Sequence, residues 1–328
     1  AAQVPGEVPA LVYSAAGRVY YAEANDHPIV ESSHWTRHAV GAGRAEQMAA
    51  ARLAGRPAAL FFDGGLHFAQ ATSESPSSGD DWNVVELEVP ATIELGGLVE
   101  VGGGLAFVAY DPADGQLHYG RLAGGEWQLH VVDARPDAGA AAAIFVVEDR
   151  PFVVYEGPAD EMARRRVQIA RGIVAGPGAS SDWTITEVGF ALEPEVRVRG
   201  ASGAEVDGRP AVLVDAAGLR FARGRNPDPQ GEPQWVRHTA DGNGATGRPV
   251  LGVFGQTPSL FYAGTDDALR LWLGTTGVAN PGGRPAWTFS RLDERASAGH
   301  SIRPVAAWGA RALRHTAWIS DGCLNYAW

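Results

Sequence analysis

The segment GRPAVLVDAAGLRFARG (residues 208–224), followed by QWVRHTAD (residues 234–241), decides the fold of this 328-residue chain. It contains two apolar runs joined by a turn with aspartate and glycine, and then a third run that begins with tryptophan. Alternating apolar and polar residues are typical of β-strands, and glycine and aspartate favour tight hairpin turns. The segment therefore predicts a β-hairpin followed by a third strand.

The same pattern recurs along the chain about every 50 residues, and seven copies of the hairpin are found. Tryptophan begins the third run at Trp35, Trp82, Trp127, Trp183, Trp235 and Trp287. A further apolar run rich in alanine and glycine precedes each hairpin, so each copy contains four strands. These small residues fit a crowded position beside a central channel. No segment keeps a helical spacing of apolar residues over three turns without glycine or proline.

Four short antiparallel strands at this repeat length are typical of a β-propeller blade. We therefore predict an all-β chain that forms one seven-bladed β-propeller of four-stranded antiparallel blades over residues 1–328. The predicted blades are residues 1–40, 41–89, 90–133, 134–189, 190–241, 242–294 and 295–328. Residues 1–6 complete either the inner strand of the first blade or the outer strand of the last, and the sequence leaves this open.

The copies resemble the divergent repeats of bacterial secreted and surface β-propeller proteins, most closely in residues 208–241. At the turns they are distantly similar to the Asp-box of sialidases, although no copy completes that pattern. The resemblance implies a propeller scaffold and favours a location outside the cell or at its surface. It brings no catalytic residues with it.

Composition and motifs exclude several functions. The formal charge is −11, from 27 basic and 38 acidic residues, and every basic residue is arginine, so we expect no nucleic-acid partner. No apolar run reaches the length of a membrane span, so we expect no membrane insertion. No zinc motif occurs, and DPADG (residues 111–115) lacks most ligands of a calcium loop, so we interpret it as a hairpin turn and expect no metal and no cofactor.

A ligand site is predicted at the mouth of the channel, because sites in closed β folds lie in their mouths. Alignment of the copies on their hairpins places these candidate ligand-binding residues there: Gln47, Glu94, Arg199, Arg248, His300 and Arg303. Arginines from three consecutive copies suit a carboxylate, sulfate or phosphate, which predicts an anionic ligand such as an acidic sugar. The alternative is that each arginine pairs with a nearby acid.

The tryptophans and histidines are interpreted structurally. Each tryptophan is expected to pack its blade on a neighbour, although an acid or amide before it, as at Asp81, Asp182 and Gln234, keeps sugar stacking open. Histidines in the tryptophan-led strands are expected to face solvent, because these strands should be outermost.

Two functional classes remain open. The first is a lectin-like binding module that presents the channel mouth to a carbohydrate, an acidic small molecule or a protein partner. The second is a polysaccharide lyase or glycoside hydrolase with its active site at the same mouth. Its catalytic residues are not identified, although a lyase set with histidine as base could be drawn from His300, His315, Tyr262 and Arg303.

Overall fold

The computed structural model describes residues 2–4, 10–25, 32–90, 92–264, 270–293, 302–310, 313–320 and 323–327, the last three ranges as strands only. The described residues form antiparallel sheets, six of four strands and one of three. In each sheet the strands follow one another in chain order. In the described part of the chain, no helix has the length and hydropathy needed to span a bilayer.

The strands of the first three sheets alternate with short turns. The first sheet contains β1 (Ala2–Val4), β2 (Ala10–Ala15), β3 (Arg18–Ala24) and β4 (Trp35–Ala42). The second contains β5 (Gln47–Leu53), β6 (Arg56–Phe62), β7 (Leu66–Ala71) and β8 (Trp82–Leu87). The third contains β9 (Glu94–Val101), β10 (Gly104–Asp111), β11 (Gln116–Ala123) and β12 (Glu126–Asp133).

The remaining sheets repeat this order. The fourth contains β13 (Ala140–Val147), β14 (Arg150–Glu156), β15 (Arg166–Gly172) and β16 (Trp183–Ala191). The fifth contains β17 (Gly200–Val206), β18 (Arg209–Asp215), β19 (Leu219–Gly224) and β20 (Trp235–Asp241). The sixth contains β21 (Val250–Phe254), β22 (Thr257–Ala263), β23 (Leu271–Thr275) and β24 (Thr288–Asp293). The three-stranded sheet contains β25 (Ile302–Ala310), β26 (Leu313–Ser320) and β27 (Cys323–Ala327).

Single turns of 3-10 helix lead into most of the outer strands. They lie at Ser32–His34, Gly79–Asp81, Ser180–Asp182, Glu232–Gln234 and Arg284–Ala286.

The first strand of each sheet is innermost, and these strands pack side by side around the centre. Each of β1, β5, β9, β13, β17, β21 and β25 contacts the next, and β25 also contacts β1. The prediction of an all-β propeller built from four-stranded antiparallel blades is confirmed. The prediction of seven such blades is wrong, because six sheets have four strands and β25–β27 form a sheet of three. The N-terminal strand β1 pairs with β2, so it completes the first sheet rather than the last.

The apolar core is divided into layers between neighbouring sheets. Separate clusters of buried residues join the first sheet to the second, the second to the third, and so on to the sixth. Trp82, Trp183, Trp235 and Trp287 are buried in these layers, each against the preceding sheet. Their expected packing role is therefore confirmed.

Three of the layers also contain a hydrogen bond from tryptophan to histidine. The indole Nε1 donates to the histidine Nε2 of the preceding sheet over 3.1, 3.0 and 3.2 Å, in the pairs Trp82–His38, Trp183–His130 and Trp287–His238. The expectation that these histidines face solvent is wrong, because each ring lies half-buried between two sheets. They share the pattern W-x-x-H, which occurs in the first, third and fifth copies.

The inner strands approach one another so closely that some positions exclude a side chain. A Cβ atom on Gly200 would lie 2.6 Å from the Cα of Arg248 and 3.0 Å from the Cδ of Pro249. A Cβ atom on Gly96 would lie 2.9 Å from the carbonyl oxygen of Ala142. The predicted crowding of the first strands is therefore confirmed.

Substitution of Gly200 with valine should destabilise the protein. Because the neighbouring strand must shift to admit the side chain, we expect the free energy of unfolding to fall by about 2 kcal/mol. Gly242→Val is the matched control, since no atom lies within 4 Å of a Cβ at that position. Chemical denaturation measures both, and equal losses in the two variants would contradict close contact at Gly200.

Candidate functional site

Three aromatic side chains lie together on the face of the sixth sheet that is turned towards the fifth. Tyr262 and Trp272 are opposite each other on β22 and β23. Phe289 on β24 is paired with Gly274, and a Cβ on that glycine would lie 2.8 Å from Cε1 of the phenylalanine ring. The rings of Tyr262 and Phe289 meet edge to face at 6.3 Å. Because Gly274 has no side chain, the phenylalanine ring can lie across β23.

A carboxylate from the fifth sheet closes one end of this aromatic surface. Asp241, the last residue of β20, is buried, and its Oδ2 accepts a hydrogen bond of 2.5 Å from the Tyr262 hydroxyl. Its Oδ1 accepts from Nη1 of Arg284 at 2.8 Å and from the backbone N–H of Asn243 at 3.2 Å. Both carboxylate oxygens therefore have a donor, which fixes the orientation of the group.

Arg284 connects the polar and aromatic parts. Its guanidinium carbon lies 5.4 Å from the centre of the Phe289 ring, within the range of a cation–π contact. Its side chain is nevertheless 59% exposed, so the guanidinium is presented to solvent while Asp241 holds one of its nitrogens. A planar group with five donors in this position can bind hydroxyl or carboxylate oxygens of a ligand.

These residues enclose an open pocket between the fifth and sixth sheets. It is a small depression with a cavity volume of about 80 Å³, and it is lined by Asp241, Asn243, Tyr262, Gly264, Trp272, Arg284 and Phe289. A Cβ on Gly264 would lie 2.9 Å from the indole Nε1 of Trp272, so this glycine makes room for the tryptophan. We call this the sheet 5–6 pocket.

The junction of the third and fourth sheets has the same framework without the aromatic lining. The Tyr155 hydroxyl donates to Oδ2 of Asp133 at 2.8 Å, as Tyr262 does to Asp241. The cation here is Arg135, whose Nε lies 2.9 Å from Oδ1 and 3.2 Å from Oδ2 of the same aspartate. Gln168 takes the place of Trp272, because it is paired with Tyr155 as Trp272 is paired with Tyr262. The framework is thus repeated, while the tryptophan is particular to the sheet 5–6 pocket.

The pKa values of Asp133 and Tyr155 show why the hydrogen bond between them is stable at neutral pH. Burial acts to raise the pKa of Asp133, but the hydrogen bonds from Arg135 and Tyr155 outweigh it and lower the pKa below its usual value. Burial, followed by the neighbouring Asp133 charge, raises the pKa of Tyr155 well above its usual value. The tyrosine is therefore a permanent donor and the aspartate a permanent acceptor at neutral pH.

The predicted mouth residues Gln47 and Glu94 lie side by side. The amide of Gln47 donates through Nε2 to the carbonyl oxygen of Ile93 at 2.8 Å and accepts through Oε1 from the N–H of Leu95 at 2.5 Å. The Gln47 side chain therefore binds the backbone on both sides of Glu94 and joins β5 to β9. Glu94 itself is exposed.

Arg248 does not stand at the mouth as an open anion site but reaches across the channel. Its guanidinium donates to the carbonyl oxygens of Leu95 and Gly96 in the third sheet, at 3.4 and 3.0 Å. It also donates to the carbonyls of Ala142 in the fourth sheet and Ala201 in the fifth. Although Arg248 is exposed to solvent along part of its side chain, the crowding of protein atoms around its guanidinium lowers the pKa to about 10, against the opposing effect of Glu94. Its donors are committed to backbone carbonyls of three sheets.

Arg199 pairs with an acid of its own sheet. Its Nη2 lies 2.8 Å from Oδ1 of the fully buried Asp215, and burial raises the pKa of that carboxyl despite the arginine. Close by, Nε of Arg197 lies 2.6 Å from Oε1 of the buried Glu156. The arginine–acid pairing that the sequence left open as the alternative is therefore present at these two positions.

For the other two mouth candidates, Arg303 and His300, the structure does not describe the side chains. Arg303 lies in β25, where the structure describes the strand but not the side chain, and it is paired with Ile319. His300 lies outside the described residues. The structure therefore brings Gln47, Glu94 and Arg248 to one region, and the convergence of three arginines stays a prediction.

The polar residues before the tryptophans have structural partners. Oδ2 of Asp81 accepts from the backbone N–H groups of Ser77 and Ser78. Asp182 does the same with Gly178 and Ala179. Gln234 accepts through Oε1 from the N–H of Gln230. These groups cap short turns, and they are not paired with an exposed indole.

Trp272 and Arg284 were missed at the sequence level. One signal could have found the tryptophan, because the residue after the first valine or leucine of the third strand varies among the copies and is tryptophan in the sixth alone. The residues at that position are Tyr20, His67, His118, Gln168, Arg220, Trp272 and Asn325. No sequence signal relates Arg284 to Asp241, since the two meet only across a sheet junction.

Comparison with known proteins supports the fold. No family model and no curated protein matches the chain. Among solved structures, it is similar to an ulvan lyase from a new family of polysaccharide lyases, with a TM-score of 0.65 and 11% identity over 99% of this chain and 90% of that one. It is also similar to an α-L-arabinanase of Penicillium chrysogenum complexed with arabinobiose, with a TM-score of 0.52 and 10% identity over 84% and 88% of the two chains.

A third similar structure is the neuraminidase-like protein of subtype N10 from a little yellow-shouldered bat influenza virus, with a TM-score of 0.52 and 8% identity over 86% of this chain and 93% of that one. At these identities the likeness shows a shared propeller fold. The similar structures include carbohydrate-active propellers.

Proposed function

We propose that this chain is a carbohydrate-binding β-propeller and that the sheet 5–6 pocket is its binding site. The observation that carries the proposal is the aromatic surface of Tyr262, Trp272 and Phe289 beside a fixed carboxylate and an exposed guanidinium. Aromatic faces pack on the apolar C–H faces of sugar rings, and polar groups at the edge read the hydroxyls. The pocket is shallow and open to solvent, so it can contact one sugar unit without enclosing it.

The charges of the pocket favour a neutral sugar. Asp241 and Arg284 form an ion pair at 2.8 Å, so their charges compensate each other within the site. An anionic ligand would have to compete with Asp241 for the arginine, whereas hydroxyl groups can accept from its exposed donors. The acidic sugar predicted from the sequence belongs instead to the channel mouth.

The residues of the sheet 5–6 pocket suit a binding site better than an active site. A glycoside hydrolase needs two carboxyl groups about 5–9.5 Å apart on one cleft. The lining residues include one carboxylate, and both its oxygens already accept hydrogen bonds. Tyr262, considered for a lyase, donates a hydrogen bond from its hydroxyl to that carboxylate and so positions it.

The channel mouth remains the second candidate. Exposed Glu94 and the half-exposed Arg197 and Arg199 lie on its rim, where an acidic ligand or a protein partner could contact them. A lyase or hydrolase at this mouth is the alternative in the enzyme class, and it is favoured by the polysaccharide lyase, the arabinanase and the neuraminidase-like protein among the similar structures.

A glycan array with neutral and acidic oligosaccharides tests the proposal. Trp272→Ala removes one wall of the pocket, so the dissociation constant for bound neutral glycans should rise at least about tenfold, equivalent to about 1.4 kcal/mol. Arg284→Ala should also weaken binding. Arg135→Ala is the matched control, because Arg135 makes the equivalent ion pair at the junction without the tryptophan.

Unchanged binding in both pocket variants would refute the sheet 5–6 pocket as the site. If the wild type binds acidic glycans alone, and an Arg199→Ala, Arg303→Ala double variant loses this binding, the site lies at the channel mouth instead. Thermal unfolding of each variant confirms that it is folded.

A further inference from the structure

The hairpin between β10 and β11 brings three metal-ligating side chains together. The ligand atoms of Asp111, Asp114 and His118 all lie within 4.8 Å of one another. Asp111 is 4% exposed, the His118 side chain 16% and the Asp114 side chain 40%, so the group forms a niche that opens to solvent on one side. Among the described residues this is the one group of three or more such side chains.

The buried carboxylate is held by hydrogen bonds through one of its oxygens. Oδ1 of Asp111 accepts from the Thr92 hydroxyl at 3.0 Å and from the N–H of Ala113 at 2.9 Å. Thr92 precedes β9, so this contact fixes the carboxylate from outside the hairpin. Outer hydrogen bonds of this kind orient metal ligands and strengthen binding.

The second carboxylate is arranged in the same way. Oδ1 of Asp114 accepts from the N–H of Gln116 at 2.9 Å, and its Oδ2 lies 3.3 Å from Nε2 of His118. In the absence of an ion this is a hydrogen-bond contact between the two side chains. The same separation fits a shared metal ion, because two ligands at about 2.1 Å from a tetrahedral ion are about 3.4 Å apart.

From this geometry we propose that Asp111, Asp114 and His118 bind a zinc ion. The three residues supply one imidazole nitrogen and two carboxylate oxygens, and a water molecule or a ligand oxygen completes the tetrahedron. An imidazole in the set favours zinc over calcium and magnesium, which prefer oxygen ligands alone. Because Tyr110 is paired with Glu94, the site lies at the same end of the sheets as the channel mouth.

The second sheet provides an internal comparison. There, Nε2 of His67 lies 2.8 Å from Oδ1 of Asp63, at the same four-residue spacing as Asp114 and His118. That hairpin is shorter and offers one aspartate, Asp63, where the hairpin of the third sheet offers two. Two ligands without the third should hold zinc far more weakly, so this pair is a control built into the same chain.

The sequence did not predict this site. The pattern D-x-x-D-x-x-x-H on a hairpin is neither a calcium loop nor a known zinc motif. The three side chains come together only in the folded chain, because the turn at Gly115 reverses its direction and brings His118 close to the two aspartates.

Isothermal titration calorimetry of the full chain, stripped with EDTA and titrated with zinc chloride, tests the proposal. We expect one zinc ion per chain, with no comparable binding of calcium or magnesium. His118→Ala and Asp111→Asn should each weaken zinc binding about 100-fold, and His67→Ala should leave it unchanged. Cobalt substitution should give the visible absorption of a tetrahedral ion in the wild type and lose it in His118→Ala.

Three results would overturn the proposal. They are zinc affinity unchanged in His118→Ala, an equal loss in His67→Ala, or a preference for calcium. Circular dichroism identifies a variant that has lost its fold, and in that case the cobalt spectrum of the other variant decides. Zinc binding is measured without any glycan, so the zinc proposal and the carbohydrate proposal can each fail without the other.

Discussion

Replacement of Arg248 with methionine should lower the free energy of unfolding by about 1.5–3 kcal/mol, because backbone carbonyls of three sheets lose a charged donor. Methionine keeps much of the volume, so the loss measures the hydrogen bonds rather than a cavity. Denaturation in urea measures the change.

The bulges in two inner strands explain why this arginine is needed. Gly96 is the unpaired residue where the register of β9 shifts between Val108 and Ala109. Ala142 lies in the corresponding shift of β13, between Ala140 and Ala143. A bulge removes a residue from the ladder and leaves its backbone groups without a strand partner. Arg248 supplies donors to both carbonyls.

The matched control for this prediction is Arg164→Met. Arg164 pairs with Asp160 in a solvent-exposed hairpin, with Nη2 3.0 Å from the carboxylate, and exposed pairs contribute about 0–1 kcal/mol. A loss at Arg248 no greater than at Arg164 would contradict the proposed role of Arg248 in joining the sheets.

Acidification from pH 7 to pH 5 should destabilise the protein by about 2–3 kcal/mol through His38, His130 and His238. Each must be neutral to accept the tryptophan N–H, and burial lowers the pKa of all three below the usual 6.5. Linkage limits each histidine to about 1.4 kcal/mol per pH unit, and the partly exposed rings give less.

The sign follows from the direction of the shifts. A histidine with a lowered pKa in the folded protein stays neutral while the unfolded chain takes up a proton. The stabilisation is therefore complete above about pH 6.5 and is lost as the pH falls towards the folded pKa. Asp81 and Asp182 partly oppose the effect of burial on the pKa of His38 and His130, whereas burial is the cause at His238.

Urea denaturation as a function of pH, with an NMR titration of the imidazoles, checks this prediction. The triple variant His38→Gln, His130→Gln, His238→Gln keeps an acceptor for each indole but does not titrate. Its stability should change much less between pH 7 and pH 5 than that of the wild type. The same acid loss in both proteins would refute the role of the three pairs.

Sequence reasoning succeeded where the determining interactions lie within one copy of the repeat. The hairpin in residues 208–224 could be predicted because strand alternation and turn residues act between near neighbours. The burial of Trp235 could be predicted from its repetition, since a large apolar side chain that recurs in six of seven copies is most simply part of the packing.

The candidate site could be predicted much less well. Gln47 and Arg248 were correctly aligned with the start of inner strands, but their hydrogen-bonding groups are committed to the backbone of other sheets. The approach of Arg284 to Asp241 depends on the distance and angle between two sheets, which no spacing within the sequence records.

By itself, the sequence determined the repeating hairpin, the third strand and the propeller architecture, because periodicity and turn chemistry are local properties. Only the tertiary structure decided that six blades have four strands, that Arg248 crosses the channel, and that an aromatic pocket forms at one junction. Those features arise where separate copies meet, and long side chains such as Arg248 and Arg284 find their partners only once the sheets are arranged around a common centre.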